Sequence, residues 1–198
     1  MKQQWKGGTL LAPVPAAMVT CPDGDGANIV TVAWTGILCS DPPRTYISLR
    51  KSRYSYDLIK KSGTFVINLT NRALTKATDL CGVRSGRDTD KLAATGLSVE
   101  PAPVTGCPML TESPVSLECR VFEVKELGSH DMFLADIVSV NVDPKYIDEN
   151  GKLRLEKAKL TAYCHGAYFA LGERLGTFGY SVMKKKTRQR KAADKKRK

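Results

Sequence analysis

The stretch from Asn28 to Leu69 constrains this chain more than any other. It holds three strand-like runs, at 28–38, 45–50 and 64–69, each rich in Val, Ile, Thr, Tyr or Phe. Such residues suit a pleated, half-buried surface. Asp41-Pro42-Pro43 turns the first run into the second. Just upstream, residues 22–27 (PDGDGA) form another strong turn, so a hairpin is expected from 15–21 into 28–38. Strands this closely spaced leave no room for crossover helices. They point to an antiparallel barrel or sandwich and away from a parallel βαβ array.

The rest of the chain extends that pattern. An amphipathic turn or two of helix is expected over 56–61, stopped by Gly63. A short helix is expected over 73–80, ended by Cys81-Gly82, and another over 89–95, capped by Asp88 or Thr89 and closed by Gly96. Residues 101–108 read as a proline-punctuated loop. A long hairpin follows, with strands at 115–126 and 132–142 around the turn Gly128-Ser129-His130-Asp131. Its first strand is expected to alternate, with Val115, Leu117, Cys119 and Val121 opposite Ser116, Glu118, Arg120 and Phe122. Short strands at 160–163 and 167–169 and a Gly-rich segment at 171–179 close the chain.

With 198 residues, 42% of them hydrophobic, one domain can bury a core without disulfide staples. The six cysteines are scattered, none in a C-x-x-C pair, and most lie in apolar runs. Reduced thiols and a cytoplasmic setting are expected. Pro13 and Pro15 interrupt the apolar N-terminus, which reads as an arm into the first strand and not as a leader. No run is apolar enough for a transmembrane helix. The net charge of +11 is concentrated at the end: residues 184–198 hold ten Lys or Arg and one Asp. The expected division is a domain over 1–183 and a basic, disordered tail over 184–198. The tail has no aromatic residue for base stacking, so its nucleic-acid contacts, if any, are non-specific.

Chemistry-bearing residues gather where the second strand runs into a helix, at Arg50-Lys51-Ser52-Arg53-Tyr54-Ser55. Backbone N–H groups and the helix dipole favour an anion there. A second anion-friendly loop carries Arg84, Ser85, Gly86, Arg87 and Lys91. Neither G-x-G-x-x-G behind a strand nor a Walker lysine loop is present, and G-x-S-x-G is absent. Two histidines cannot make a His-rich metal site. Hydroxyls and cations without the side chains of hydrolysis suit a cofactor that brings its own reactivity.

Several pieces, in this order and spacing, resemble the flavin reductase-like proteins, closest to their flavoredoxin branch. They are NIVTVAW, the DPP turn, ISLRKSRYSYDLI, GTFVINL, SGRDTDKL, HDMFLADI and YFALGERLGTFGYS. The resemblance covers about residues 10–183 and leaves out the basic tail. It implies a mainly β fold, an antiparallel split β-barrel of Greek-key character with a few short helices. It also implies a homodimer with non-covalently bound FMN near the dimer interface.

By that resemblance Asn28 hydrogen-bonds the flavin or its ribityl chain, and Trp34 flanks the isoalloxazine, unless it is a core residue. Thr31, Ala33, Thr35 and Gly36 offer backbone to the ring edge. Arg50, Ser52 and Ser55 bind the phosphate, with Lys91 at the phosphate or the pyrimidine edge. His130 and Tyr163, and less strongly Tyr168, lie near the ring or reach it from the partner subunit. The expected function is an FMN-binding oxidoreductase taking electrons from NAD(P)H or a redox partner. The alternatives are an FMN electron carrier without its own NAD(P)H activity, and a polyanion-binding protein acting through the tail.

Overall fold

The computed structural model describes residues 1–184. Its strands, in chain order, are β1 (Val14–Pro15), β2 (Ala17–Asp23), β3 (Gly26–Val32), β4 (Thr35–Ser40), β5 (Pro43–Leu49), β6 (Thr64–Leu69), β7 (Val99–Pro101), β8 (Pro108–Leu110), β9 (Val115–Glu126), β10 (Asp131–Val142), β11 (Thr161–Cys164) and β12 (Ala167–Ala170). Three α-helices interrupt them among the described residues: α1 (Tyr54–Ser62), α2 (Thr75–Val83) and α3 (Lys91–Thr95). Seven strands form one antiparallel sheet in the order β3-β2-β6-β9-β10-β5-β4. The β9–β10 hairpin sits between β6 and β5, although those two are consecutive strands joined through α1. That insertion gives the Greek-key order.

The sheet must also roll. β3 and β4 are its opposite edges, yet only Ala33 and Trp34 separate them in sequence. Two residues span at most about 7 Å, far less than seven strands side by side. The edges therefore meet at a seam, beside which the Ser48 N–H of β5 donates to the Trp34 carbonyl at 2.9 Å and carries the β4–β5 pairing back to the bend. This is the mainly β, antiparallel split barrel expected from the sequence. It also corrects one expectation: residues 28–38 are two strands bent at Ala33-Trp34, not one. Neither residue is a glycine or proline, so the bend has no local signal; closure of the sheet imposes it.

β2 is buried along its length from Ala17 to Cys21 because both of its faces are covered. Val19, Cys21, Val30, Ile47, Phe65 and Phe133 fill the barrel, with Tyr56 and Ile59 of α1 packed among them. On the outer face Met18 and Ile29 pack with Leu74 and Cys81 of the α2 region and Leu110 of β8. Gly63 ends α1 in the left-handed conformation, as expected. α2, however, runs through Cys81-Gly82 to Val83. Gly82 is there for contact and not to stop the helix: a Cβ on it would lie 3.3 Å from the Thr31 Cβ of β3. α3 begins later than expected, at Lys91, and its cap is Asp90, which accepts from the Ala93 N–H at 3.0 Å. The short ribbon of β7 and β8 flanks the loop expected over 101–108.

That loop explains why β9 does not alternate. Ser116 and Glu118 are as buried as Val115 and Cys119, because residues 102–110 cover the outer face. Glu118 Oε2 accepts from the N–H groups of Val104 (3.0 Å) and Thr105 (2.8 Å) and from the Thr105 hydroxyl (2.9 Å); Oε1 accepts from Asn141 Nδ2 at 2.9 Å. Burial opposes the charge, but the donors of Asn141, Thr105 and Val104 outweigh it and hold the carboxyl below its ordinary range. The stability it contributes is present above the unfolded-state pKa and is lost as pH falls through the lowered folded value. Glu118→Ala strands four partly buried donors, and we expect it to cost about 3 kcal/mol, or a Tm drop of roughly 10 °C. A thermal melt that moves less than a degree or two contradicts this role.

Candidate functional site

The cleft lies beneath the seam. Its deeper end is built by α1. Leu49 ends β5, the turn closes with the Arg53 N–H donating to the Arg50 carbonyl at 3.0 Å, and α1 starts at Tyr54 with no side-chain cap. Tyr54 and Ser55 of that first turn, whose N–H groups precede the first bond from the Tyr56 N–H to the Arg53 carbonyl, line a cavity of about 430 Å³ together with Arg50, Ser52, Arg53, Arg84 and Lys91. No carboxylate lines it among the described residues.

Asn28 and Ser55 form its buried floor. Asn28 Nδ2 donates to Ser55 Oγ at 2.6 Å. An amide nitrogen can only donate, so the serine oxygen is the acceptor here and the hydroxyl keeps a proton to give. The loop after α2 closes the other side. Arg87 donates to the Ser52 carbonyl at 3.0 Å and lies 5.3 Å over the Tyr54 ring. Gly86 presses against Asn28: a Cβ there would overlap Asn28 Oδ1 and stand 2.7 Å from Tyr54.

Arg53 ties the two ends together by donating to the Gly82 carbonyl at 2.8 Å. With Val30, Arg50 and Val83, it lines both this cavity and a second one of about 340 Å³. The two are one continuous cleft. The second end is flatter and more apolar, walled by Val30, Leu49, Trp34 and Tyr163. The backbone of Thr31 to Ala33 runs along it; the Thr31 hydroxyl itself is turned away to the Thr78 carbonyl of α2 at 2.5 Å. His130 reaches this end from the β9–β10 turn, its Nδ1 2.9 Å from Ser129 Oγ. Burial, then Arg50 and Arg53, push its pKa below the ordinary value, so it is neutral at pH 7.

Ten of the twelve residues singled out in the sequence thus line one cleft: Asn28, Arg50, Ser52, Ser55 and Lys91 at the cationic end, and Thr31, Ala33, Trp34, His130 and Tyr163 at the flat end, which Arg50 also touches. Tyr168 is there too, edge-on to Tyr163 with ring centroids 5.5 Å apart. Thr35 and Gly36 line neither end. The Thr35 hydroxyl donates to the Tyr46 carbonyl at 2.6 Å, and the Gly36 carbonyl accepts from Thr45 at 2.8 Å. Trp34 is half-buried at the seam and belongs to none of the core clusters.

Lys91 is buried, and two of its three protons go to the carbonyls of Ile29 (2.6 Å) and Cys81 (3.1 Å). Burial pushes its pKa down. It braces β3 against α2 and has one N–H left for the cavity. Arg53 stood out in the sequence as part of the cationic stretch without an assigned role, and the close approach of Gly86 was not legible. Arg84, Ser85 and Gly86 did stand out in the sequence as a basic loop, with nothing to say it would fold over α1.

The donor set fits a phosphate: guanidinium groups, free helix-start N–H groups and a hydroxyl with its proton to give, with no competing carboxylate. A donor-lined pocket opening into a second cleft walled by Val30, Leu49, Trp34 and Tyr163, at the seam of an antiparallel split barrel, has the chemistry to take a nucleotide cofactor of the flavin type. Comparison with known proteins agrees. Residues 10–172 match the flavin reductase like domain, and the chain belongs to that family. The flavoredoxin of Desulfovibrio vulgaris (Miyazaki F) superposes with a TM-score of 0.86 at 32% identity, covering 92% of this chain and all of that one. An FMN-binding protein from Thermus thermophilus, solved with bound 1-cyclohex-2-enone, superposes with a TM-score of 0.77 at 25% identity, over 89% of this chain and 99% of that one. An NADPH-flavin oxidoreductase of Streptomyces viridifaciens is 28% identical over 141 residues, 69% of this chain and 70% of that protein.

Proposed function

We propose that the cleft holds FMN non-covalently and that the protein is an FMN-dependent oxidoreductase fed by NAD(P)H or by a redox protein. The observation that carries this reading is the continuity of the donor-lined cavity with the flat one through Arg50 and Arg53. Arg50, Ser52, Arg53, Ser55 and the first turn of α1 hold the phosphate. Arg84 and Ser85 close over it. Asn28 orients the Ser55 hydroxyl. Trp34, Tyr163 and Val30 wall the ring, keep water from its face and leave backbone groups of 31–33 for its polar edge. His130, neutral and with Nε2 free of hydrogen bonds among the described residues, stands as a donor or acceptor beside the ring. When bound, FMN supplies two-electron redox chemistry, so no acid–base residue of the chain is required.

A homodimer is part of this proposal. Large apolar side chains stand exposed on the N-terminal arm (Trp5, Leu10, Leu11), on the edge strand β4 (Ile37, Leu38) and after β11 (Phe169, Leu171). A cytoplasmic setting is supported by six free cysteines, of which Cys21 and Cys107 are pushed up to about 12 by burial and so kept unreactive. No described helix is long and apolar enough to cross a membrane.

The similarity to flavoredoxin favours a second reading, an FMN electron carrier with no NAD(P)H activity of its own. Anaerobic mixing of the yellow holoprotein with NADH, NADPH and reduced ferredoxin separates the two. Flavin bleaching by a nicotinamide at a catalytic rate supports the first; bleaching by ferredoxin alone supports the second. The basic tail expected over 184–198 lies outside the described residues except for Lys184. Truncation after Met183 that leaves polyanion binding unchanged removes the tail-based alternative.

A further inference from the structure

The two ends of the cleft are built on different elements. The turn after β5 and the start of α1 supply the phosphate end, and the β9–β10 turn brings His130 to the flat end. Asp131, the residue after His130, joins the two. It opens β10 opposite Leu49, the last residue of β5. Its side chain is buried, and Oδ2 accepts from the Tyr56 hydroxyl of α1 at 2.6 Å. Tyr56 follows Ser55 in the first turn of α1, and its ring stands edge-on to Phe133 of β10 with centroids 5.2 Å apart. The bond to Asp131, and then burial, push the Tyr56 hydroxyl up, so it stays protonated and keeps donating.

A second tie comes from the phosphate-end turn itself. Lys51 Nζ lies 3.5 Å from the same Oδ2 and donates to Glu126 Oε1 of β9 at 3.1 Å. Lys51 is thus turned onto the hairpin and does not line the phosphate cavity, unlike its neighbours Arg50, Ser52 and Arg53. Both ties converge on one buried carboxylate oxygen. The other, Oδ1, is buried and has no partner among the described residues. A buried carboxylate with one oxygen unanswered is costly, and apolar groups of similar size often serve a core as well or better. What Asp131 contributes is geometry: it fixes the first turn of α1 against the hairpin that carries His130.

We propose that Asp131 is a positioning residue, acting through Tyr56 and Lys51, that sets the spacing between the phosphate end and the ring end of the cleft. This rests on the FMN reading above and deepens it. A ligand that fills both ends at once gains from their fixed spacing, whereas a ligand that fills one end does not.

The test titrates flavin-free protein with FMN and with riboflavin, which leaves the phosphate end empty, and follows the quenching of flavin fluorescence. Asp131→Ala removes both ties. Its dissociation constant for FMN is expected to rise about ten- to a hundredfold, and that for riboflavin by less than about threefold. Tyr56→Phe removes one tie, keeps the ring in the core, and is expected to shift the FMN-to-riboflavin ratio the same way by a smaller factor. It carries the test alone if Asp131→Ala does not melt cooperatively. The double variant is expected to bind FMN no worse than Asp131→Ala, because the Tyr56 hydroxyl has already lost its partner there. An unchanged FMN affinity, or equal losses for the two flavins, overturns the proposal, since a merely structural role weakens both alike. A wild-type chain that takes up neither flavin overturns the flavin reading, and this proposal with it, before any variant is compared.

Discussion

Gly86→Ala is expected to weaken FMN binding by about two to four orders of magnitude while leaving the barrel folded. The glycine is required by contact. Its Cα lies so close to Asn28 and Tyr54 that a methyl group has no room. Asn28 is buried and held to Ser55, and Tyr54 is anchored by its hydroxyl to Asp23 at 2.9 Å, so neither can yield cheaply. The loop must lift instead. Lifting removes Arg84 and Ser85 from the anion, and each charge-assisted hydrogen bond lost is worth roughly 1.5–3 kcal/mol. Gly86 supports neither the barrel core nor the outer cluster, so the flavin-free variant should still melt cooperatively. Titration of the flavin-free variant with FMN, followed by quenching of flavin fluorescence, reads the loss. A dissociation constant within threefold of the wild type contradicts the closed-loop account.

The double variant Arg50→Ala with Arg53→Ala is expected to lose about two to three orders of magnitude in the same titration. Arg53 contributes twice, once as a cation and once by holding α2 through the Gly82 carbonyl. Arg50 is exposed, so salt screens its share. The wild-type affinity should therefore fall as salt rises, and the slope should flatten in the double variant. If the affinity survives and the salt slope is unchanged, the phosphate does not lie between these two residues.

Much of this was legible in the residues. Strand runs punctuated by Pro-Asp-Gly and Asp-Pro-Pro announced an antiparallel sheet, since those turns need nothing beyond local backbone preference. The helix start after Arg50 marked a candidate anion site for the same reason, and its residues do line one cavity. What escaped depends on distant parts meeting. The bend at Ala33-Trp34 exists only because the sheet closes on itself. Gly82 read as a stop because glycine usually is one, yet here it makes room for Thr31. Glu118 read as a solvent-facing strand residue, because nothing near it in sequence reveals that residues 104 and 105 bring three donors to it. Lys91 read as a free cation; its burial against Ile29 and Cys81 comes from α3 packing on β3.

The central claim is that one continuous cleft grips a phosphate and a flat ring together. The most direct measurement is a paired titration of the flavin-free protein with FMN and with riboflavin, which carries the same ring and ribityl chain without the phosphate. Two or more charge-assisted hydrogen bonds to the phosphate predict that FMN binds at least about a hundredfold more tightly. Equal affinities, or no uptake of either flavin, would contradict it.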